Sequence, residues 1–164
     1  MMTCLRSKIR KCVSCALMVL SLCGCSAVKS SASPSATTAS QALIEADEIA
    51  EKLSLTDSLQ QLKNRTVKGM IFSGDDLYSD AAVLMSNTGT ADTVGVFYVT
   101  DFNNAKTDIQ NYLKNLETQT NVYDATEISK ISNAVMEDNG TDKIVVIIAS
   151  DIETARKLAK QAVQ

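Results

Sequence analysis

Ile144-Val145-Val146-Ile147-Ile148-Ala149 is the stretch that decides the fold of this 164-residue chain. Its residues are apolar without alternation, which predicts a strand buried on both faces of a sheet. Ser150-Asp151-Ile152-Glu153 follows directly and has the spacing of a capping box, in which Ser150 accepts the N3 amide and Glu153 reaches back. The sequence therefore predicts a central strand that leads straight into the last helix.

The same order of features occurs earlier in the chain. An apolar strand, a hydroxyl-Asp pair and an amphipathic helix recur at an offset that falls from 52 residues at the first strand to 50 at the capping aspartate. The first copy consists of Ala82 to Met85, Gly89-Thr90, Val94 to Val99, Thr100-Asp101 and a helix over 102–120. The second consists of Ala134 to Met136, Gly140-Thr141, Ile144 to Ala149, Ser150-Asp151 and a helix over 152–163. This agreement indicates a duplicated strand–turn–strand–helix unit.

The predicted fold class is α+β, with an N-terminal helix followed by the duplicated strand-strand-helix unit. Four strands form a mainly antiparallel sheet, with helices 102–120 and 152–163 packed on one face. Shorter features are less regular. The pattern predicts a helix over 42–53 that continues with a break over 54–62, a short strand at 70–72, a tight hairpin at 138–140 and one helical turn at 126–130.

Both central strands offer apolar side chains to both faces of the sheet. Val94, Val96 and Tyr98 alternate with Gly95, Phe97 and Val99, and Val145, Ile147 and Ala149 alternate with Ile144, Val146 and Ile148. Helices on one face would leave the second face bare, which an isolated domain seldom tolerates. The helix around Ile49 and Leu53 is therefore expected to cover that second face.

The N-terminus has the pattern of an export signal. Residues 1–11 carry Arg6, Lys8, Arg10 and Lys11 without an acidic residue, and 13 uncharged residues follow at 12–24. That stretch is shorter than the roughly 20 residues that span a membrane. It ends in Leu22-Cys23-Gly24-Cys25, which resembles the lipobox of bacterial lipoproteins and implies a lipid on Cys25. The alternative is an ordinary signal peptide with an incidental cysteine.

This interpretation divides the chain into three parts. Residues 1–24 are the signal peptide, 25–40 are the lipidated Cys25 and a flexible Ser/Ala/Thr linker, and 41–164 are one α+β domain. The predicted location is the extracytoplasmic face of the cell membrane, and the first predicted partner is the membrane itself, through the lipid on Cys25.

Composition excludes several kinds of chemistry. All five cysteines lie within residues 1–25, and the chain has no histidine, so the exported domain has neither disulfides, nor thiolate catalysis, nor imidazole ligands and bases. Removal of the signal leaves 12 basic and 19 acidic residues, a net charge of −7. An acidic exported domain is not expected to bind nucleic acid.

Carboxylates are the remaining candidates for a site. Asp75, Asp76 and Asp80 can offer oxygens to a divalent cation, as can the segment 138–142, but neither has EF-hand spacing and a solvated turn explains each. Asp101 and Asp151 each precede a helix, where a carboxylate acts as an N-cap more often than as an acid or base.

Two short motifs match known sites by spacing only. Gly69 and Gly74 have the glycine spacing of a P-loop, but Asp75-Asp76 stands where Lys-Ser/Thr is required. Ser26 and Lys29 have the S-x-x-K spacing of penicillin-binding enzymes. They lie in the predicted linker, however, where no pocket is expected to desolvate the lysine. No catalytic, cofactor-binding or metal-binding residue is assigned, and no cofactor is expected.

The pattern of apolar and turn residues along the whole domain resembles that of a family of short Gram-positive bacterial lipoproteins. These proteins carry a domain of unknown function. The resemblance covers about residues 42–163 and rests on Ala46 to Ala50, Ala82 to Gly89, Val94 to Val99, Asn133 to Val135 and the last strand with Asp151. It implies a lipid-anchored envelope protein and carries over no site residue.

Two hypotheses about function remain at this point. The first is a non-enzymatic lipoprotein that binds another envelope protein or a small ligand near the membrane. The second is a carboxylate- or Ser/Lys-based enzyme that acts on cell-wall or peptide substrates. A deep pocket with buried, pKa-perturbed side chains would favour the enzyme, whereas a flat or grooved apolar surface would favour binding. The oligomeric state is left open.

Overall fold

A five-stranded sheet with helices on both faces forms the domain. The computed structural model describes residues 39–55, 57–74, 76–119 and 122–164, all within one compact unit. The fold class, mixed α and β with an antiparallel sheet, is confirmed. The elements in chain order are α1 (Gln41–Lys52), β1 (Leu59–Gln61), α2 (Asn64–Ile71), β2 (Tyr78–Ser86), β3 (Thr93–Val99), α3 (Phe102–Glu117), α4 (Ala125–Ser132), β4 (Val135–Asp138), β5 (Lys143–Ile148) and α5 (Ile152–Ala162).

The strands follow the order β1-β2-β3-β5-β4, and every neighbouring pair is antiparallel. The two central strands are those predicted from the apolar runs, with Val96 opposite Val145 in the register. The C-terminal residues of β2 and β5 lie at one end of the sheet, taken along the strand direction. The N-terminal residues of β3 and β4 lie at that same end. The loops that leave these strand ends therefore lie close together.

Side chains alternate between the two faces as expected. Val94, Val96, Val145 and Ile147 are buried in one cluster, while Phe97, Val99, Ile144 and Val146 are buried in another. Gly95 makes room for the Phe97 ring, because a Cβ at Gly95 would lie 2.8 Å from a ring carbon. Both faces of the central strands are thus covered, and the prediction of burial on both sides is confirmed.

α1 covers the Val94 and Val96 face. Its buried stripe is Ala42, Ala46 and Ile49, and it packs in the same cluster as these two valines. Small alanines in this stripe let the helix approach the sheet closely. The expectation that the N-terminal helix packs on the sheet is therefore confirmed.

The expectation that the helices of the two predicted repeats share a face is wrong. α5 buries Ala155, Leu158 and Ala159 in the cluster that contains α1, whereas α3 buries Ala105 and Ile109 in the cluster on the opposite face. Strands with two apolar faces allow a helix to turn to either side, so the sequence pattern could not decide between them. The strand–strand–helix units thus have opposite handedness, and the predicted duplication gains no support from the coordinates.

Two further elements differ from the sequence prediction. The sheet has five strands rather than four, because Leu59–Gln61 pairs with the outer edge of β2 instead of continuing a helix. Residues 70–72 are not a strand, because α2 extends to Ile71 with Val67 and Ile71 buried four residues apart. Both segments are short, and an apolar residue every fourth position fits either type of structure.

The remaining local predictions concern turns and helix ends. The hairpin at 138–140 is confirmed, with Gly140 at φ 76° and the Asn139 side chain accepting hydrogen bonds from the backbone N–H groups of Thr141, Asp142 and Lys143. The helical turn at 126–130 is confirmed as part of α4. None of the described helices is both long and apolar enough to span a bilayer.

Candidate binding cleft

A cleft lies between α4 and the connection from β5 to α5. We call it the α4/α5 cleft; its volume is about 480 Å³. Hydroxyl, amide, ammonium and aliphatic groups all reach its wall. The lining residues are Ala125, Thr126, Ser129, Lys130, Asn133, Ala149, Ser150 and Ile152.

The position of α4 is fixed at its start and along its buried side. The Asp124 carboxylate accepts hydrogen bonds from the backbone N–H groups of Thr126 and Glu127 at 2.8 and 3.0 Å, which satisfies two amides of the first turn. Ile131 is 2 % exposed and packs with Leu116 and Ile148. With that side buried, Thr126, Ser129 and Asn133 are left for the cleft.

Lys130 forms a buried ion-pair network beneath the cleft. Its Nζ lies 3.1 Å from Oδ1 of Asp92 and 3.0 Å from Oε1 of Glu127, and its side chain is 9 % exposed. Oε2 of Glu127 also accepts a hydrogen bond of 2.7 Å from the backbone N–H of Ala91. The network thus ties α4 to the loop between β2 and β3.

Burial by itself would lower the pKa of the Lys130 ammonium. The hydrogen bonds and charges of Glu127 and Asp92 outweigh that effect and raise the pKa above its ordinary value. Lys130 is therefore protonated at neutral pH. A serine hydrolase with a lysine base needs the opposite shift, so Lys130 is not suited to activate Ser129 or Ser150.

A second polar cluster lies at the same end of the sheet. The carboxylate of Asp57 accepts hydrogen bonds from the hydroxyls of Ser86 (3.3 Å) and Thr88, and the bond from Thr88 is the main cause of its lowered pKa. The charge of Lys130 lowers this pKa further. Asp57 also borders a groove of about 370 Å³ that α1 and β1 form together, here called the α1/β1 groove.

A third network lies at the opposite end of the sheet, where α1 begins. Oε1 of Glu45 accepts a hydrogen bond of 2.6 Å from the Tyr98 hydroxyl, and Oε2 lies 2.6 Å from Nζ of Lys143. Burial would raise the pKa of Glu45, but hydrogen bonds from Gln41, Lys143 and Tyr98 lower it below its usual value. These contacts hold the first turns of α1 against β3 and β5.

Several of the candidate residues from the sequence have structural roles. The carboxylates of Asp101 and Asp151 accept the backbone N–H groups of Asn104 and Thr154, so both are N-caps, as predicted. The predicted capping box is wrong, because Asp151 and not Ser150 occupies the cap position, and the Glu153 carboxylate pairs with Arg156. The hydrogen bonds of Asp151 also lower its pKa, chiefly the bond with Thr154.

The candidate metal ligands do not converge where the structure describes them. Asp80 accepts a hydrogen bond of 3.0 Å from the backbone N–H of Ala42, and Asp138 pairs with Lys106 at 2.8 Å. Within the described ranges, no three Asp, Glu, His or Cys side chains are grouped as metal ligands. Asp75 and Cys25 lie outside the described residues.

The glycines with P-loop spacing do not form a phosphate loop. Gly69 lies inside α2 and Gly74 lies beyond its end, so a helix occupies much of the interval that a P-loop needs.

Sequence reasoning missed the Lys130 network. Glu127 and Lys130 carry a weak signal, since oppositely charged residues three positions apart face each other on a helix. Asp92 has no such signal, because 38 residues separate it from Lys130 and only the packing of α4 brings them together.

Comparison of the chain with protein-family models, curated proteins and solved structures finds no match. The resemblance to short Gram-positive lipoproteins therefore stays a prediction.

Proposed function

We propose that this chain is a membrane-anchored extracytoplasmic lipoprotein whose domain binds a small ligand or another envelope protein in the α4/α5 cleft. The lipid on Cys25 supplies the anchor, and the Ser/Ala/Thr-rich residues 25–40 connect it to the domain. No family or structural similarity contributes to this proposal.

The residues that line the cleft are the main observation in support of a binding role. Its hydrogen-bonding groups come from Thr126, Ser129, Asn133 and Ser150, and Ile152 adds apolar surface. Its volume of about 480 Å³ falls in the range of small-molecule sites, roughly 300–1,000 Å³. A few polar groups beside apolar ones fix the orientation of a ligand without requiring chemistry.

The charge around the cleft favours an uncharged ligand. Lys130 is the one cation in the lining, and Asp92 and Glu127 already neutralise it with a surplus negative charge. An anion would have to displace these buried carboxylates. A neutral, hydrogen-bonding group such as an amide or a sugar hydroxyl fits the lining better.

The alternative, a Ser/Lys-based or carboxylate-based enzyme, has one observation in its favour. Ser129 and Ser150 line the same cleft as Lys130. The raised pKa of Lys130 and its pairing with two carboxylates argue against that role. Labelling by a fluorophosphonate probe that is lost in both Ser129→Ala and Ser150→Ala variants would favour the enzyme instead.

The anchor is tested by substitution of the lipidated cysteine. Cys25→Ala is expected to leave the fold unchanged and to release the protein from the membrane, because two acyl chains contribute about 0.8 kcal/mol per buried methylene. Cys23→Ala, two residues away, is the matched control and is expected to remain anchored. A Cys25→Ala variant that stays on the membrane after a salt wash would refute the anchor.

The cleft is tested by crosslinking in native membranes. A photoreactive residue at Ser129, which is exposed and lines the cleft, is expected to yield a mass-shifted peptide containing α4. The same residue at Gln161, exposed on α5, is the control and is expected to yield none. Equal labelling at both positions, or none at Ser129, would contradict the proposed site.

A further inference from the structure

α2 differs from its surroundings in charge. From Gln60 to Ser73 the chain carries Lys63, Arg65 and Lys68 and no acidic residue, although the mature chain as a whole is acidic. Lys63 and Arg65 are exposed and Lys68 is half-buried. This helix therefore presents a local cationic patch.

The start of α2 is electrostatically unfavourable for a helix that faces only water. Lys63 is the N-cap residue and makes no capping hydrogen bond with its side chain, and the first turn contains no acidic residue. Lys63 and Arg65 thus add positive charge to the end of the helix that already carries a partial positive charge and free N–H groups. An external anionic surface would relieve both problems.

The exposed side of α2 allows close approach. A Cβ at Gly69 would meet no atom within 4 Å, and Met70 is a large apolar residue with 39 % exposure. On the other side, Val67 and Ile71 are buried and hold the helix to the sheet. The backbone of α2 at Gly69 is therefore not covered by the described side chains of the domain.

We infer that α2 docks the domain onto the headgroups of anionic lipids. This inference rests on the proposed lipid anchor, because the tether brings the domain within reach of the bilayer. Each exposed basic residue near an anionic surface favours contact about five-fold, so Lys63 and Arg65 together favour it roughly 25-fold. That factor is too small to recruit a free domain firmly, but it is enough to orient a tethered one.

Two described acidic residues follow or contact the C-terminal end of α2. Asp108 accepts hydrogen bonds of 2.7 Å from Ser73, and Asp76 lies in the following turn. Both lie beyond the C-terminal end of the helix, away from Lys63 and Arg65. Charges more than about 8 Å apart in solution are largely screened at physiological salt.

The test measures how close α2 lies to the lipids. The mature lipidated protein, with Thr66→Cys carrying a fluorophore, is reconstituted in vesicles that contain a spin-labelled lipid as quencher. Quenching at Thr66 is expected to exceed that at Gln161→Cys on α5 about two-fold or more in vesicles containing phosphatidylglycerol, and to fall to the Gln161 level in pure phosphatidylcholine or in about 1 M salt.

Charge variants supply a matched control. Lys63→Gln with Arg65→Gln is expected to remove the difference between the two positions, whereas Arg156→Gln with Lys157→Gln on α5 keeps it. Equal quenching at Thr66 and Gln161 in phosphatidylglycerol vesicles overturns the inference. Quenching that depends on protein concentration rather than on lipid charge also overturns it, since it would indicate contact between copies of the chain.

A separate measurement tests whether the protein carries the proposed lipid anchor. Protein that leaves the vesicles in high salt, with a mass that lacks the acyl chains, refutes the proposed anchor. The labelled domain is then tethered to the same vesicles at low salt through an N-terminal hexahistidine tag on a nickel-chelating lipid, where excess quenching at Thr66 supports docking and its absence overturns it.

Discussion

Lys130 links α4 to the loop between β2 and β3. It lies between the carboxylates of Asp92 and Glu127, which belong to different segments and have exposed fractions of 1 % and 13 %. A buried ion pair of this kind contributes little compared with a well-packed apolar substitute, but loss of one partner leaves the other charge unpaired.

Lys130→Met is therefore expected to lower the free energy of unfolding by about 3–5 kcal/mol. Lys157→Met, at an exposed position on α5, is the control and is expected to change it by less than about 0.5 kcal/mol. Urea unfolding followed by circular dichroism measures both. A Lys130→Met variant as stable as the control would show that the network does not hold α4.

The lowered pKa of Glu45 predicts how the stability of the domain depends on pH. Its pKa is lowered from the ordinary 4.5 in the folded protein, so its ionised form favours folding. That contribution is complete above pH 4.5 and is lost as the pH falls through the lower folded-state pKa. Glu45→Gln is therefore expected to be less stable than the parent protein at pH 7, with the difference shrinking below pH 4.5.

Urea unfolding at a series of pH values tests this expectation. Glu48→Gln on the exposed side of α1 serves as the control and is expected to change stability by less than about 0.5 kcal/mol. A stability difference between Glu45→Gln and the parent that stays constant down to pH 3 would contradict the role assigned to the carboxylate.

At the scale of elements, α3 and α5 begin in the same way. Asp101 and Asp151 each accept the N–H group three residues ahead, at 3.2 and 3.0 Å. Asp101→Ala and Asp151→Ala are each expected to cost about 1 kcal/mol. Ser150→Ala is the informative control, because it should be nearly neutral if Asp151 alone caps α5. A larger loss from Ser150→Ala than from Asp151→Ala in thermal unfolding would restore the original capping box.

Element types were predictable where the pattern was long. β3 has seven consecutive apolar or small residues and β5 has five, and α3 and α5 have clear helical periodicity and acidic caps. β1 and α2 were not, because three- and eight-residue elements contain too few positions to separate a period of two from one of 3.6. Their type depends on what they pack against.

At the scale of the whole molecule, α1 seals one face of the sheet. Ile49 is 5 % exposed in the cluster beneath α1, whereas Ile44 on the same helix is 42 % exposed. Ile49→Ala is expected to cost about 2–4 kcal/mol and Ile44→Ala less than about 0.5 kcal/mol, because only the first leaves a cavity. Urea unfolding compares the two variants. Similar losses would mean that α1 does not cover the sheet.

The arrangement of the domain separates its entry point from its clefts. α1 begins beside Asp80, Tyr98 and Lys143, while the α4/α5 cleft and the α1/β1 groove lie at the other end of the strands. Under the proposed anchor, both depressions lie at the end of the domain far from residue 41. That placement suits the proposed binding of envelope components.

The sequence by itself determined the central pair of strands, the aspartate caps of α3 and α5, the antiparallel α+β class and the need to cover two apolar faces. These features follow from local periodicity and from single residues whose roles depend on their immediate neighbours. The tertiary structure alone decided that α3 and α5 lie on opposite faces, that Leu59–Gln61 extends the sheet, and that Lys130 meets Asp92. Each of these depends on contacts between distant segments, and a strand with two apolar faces accepts a helix on either side with nearly equal burial.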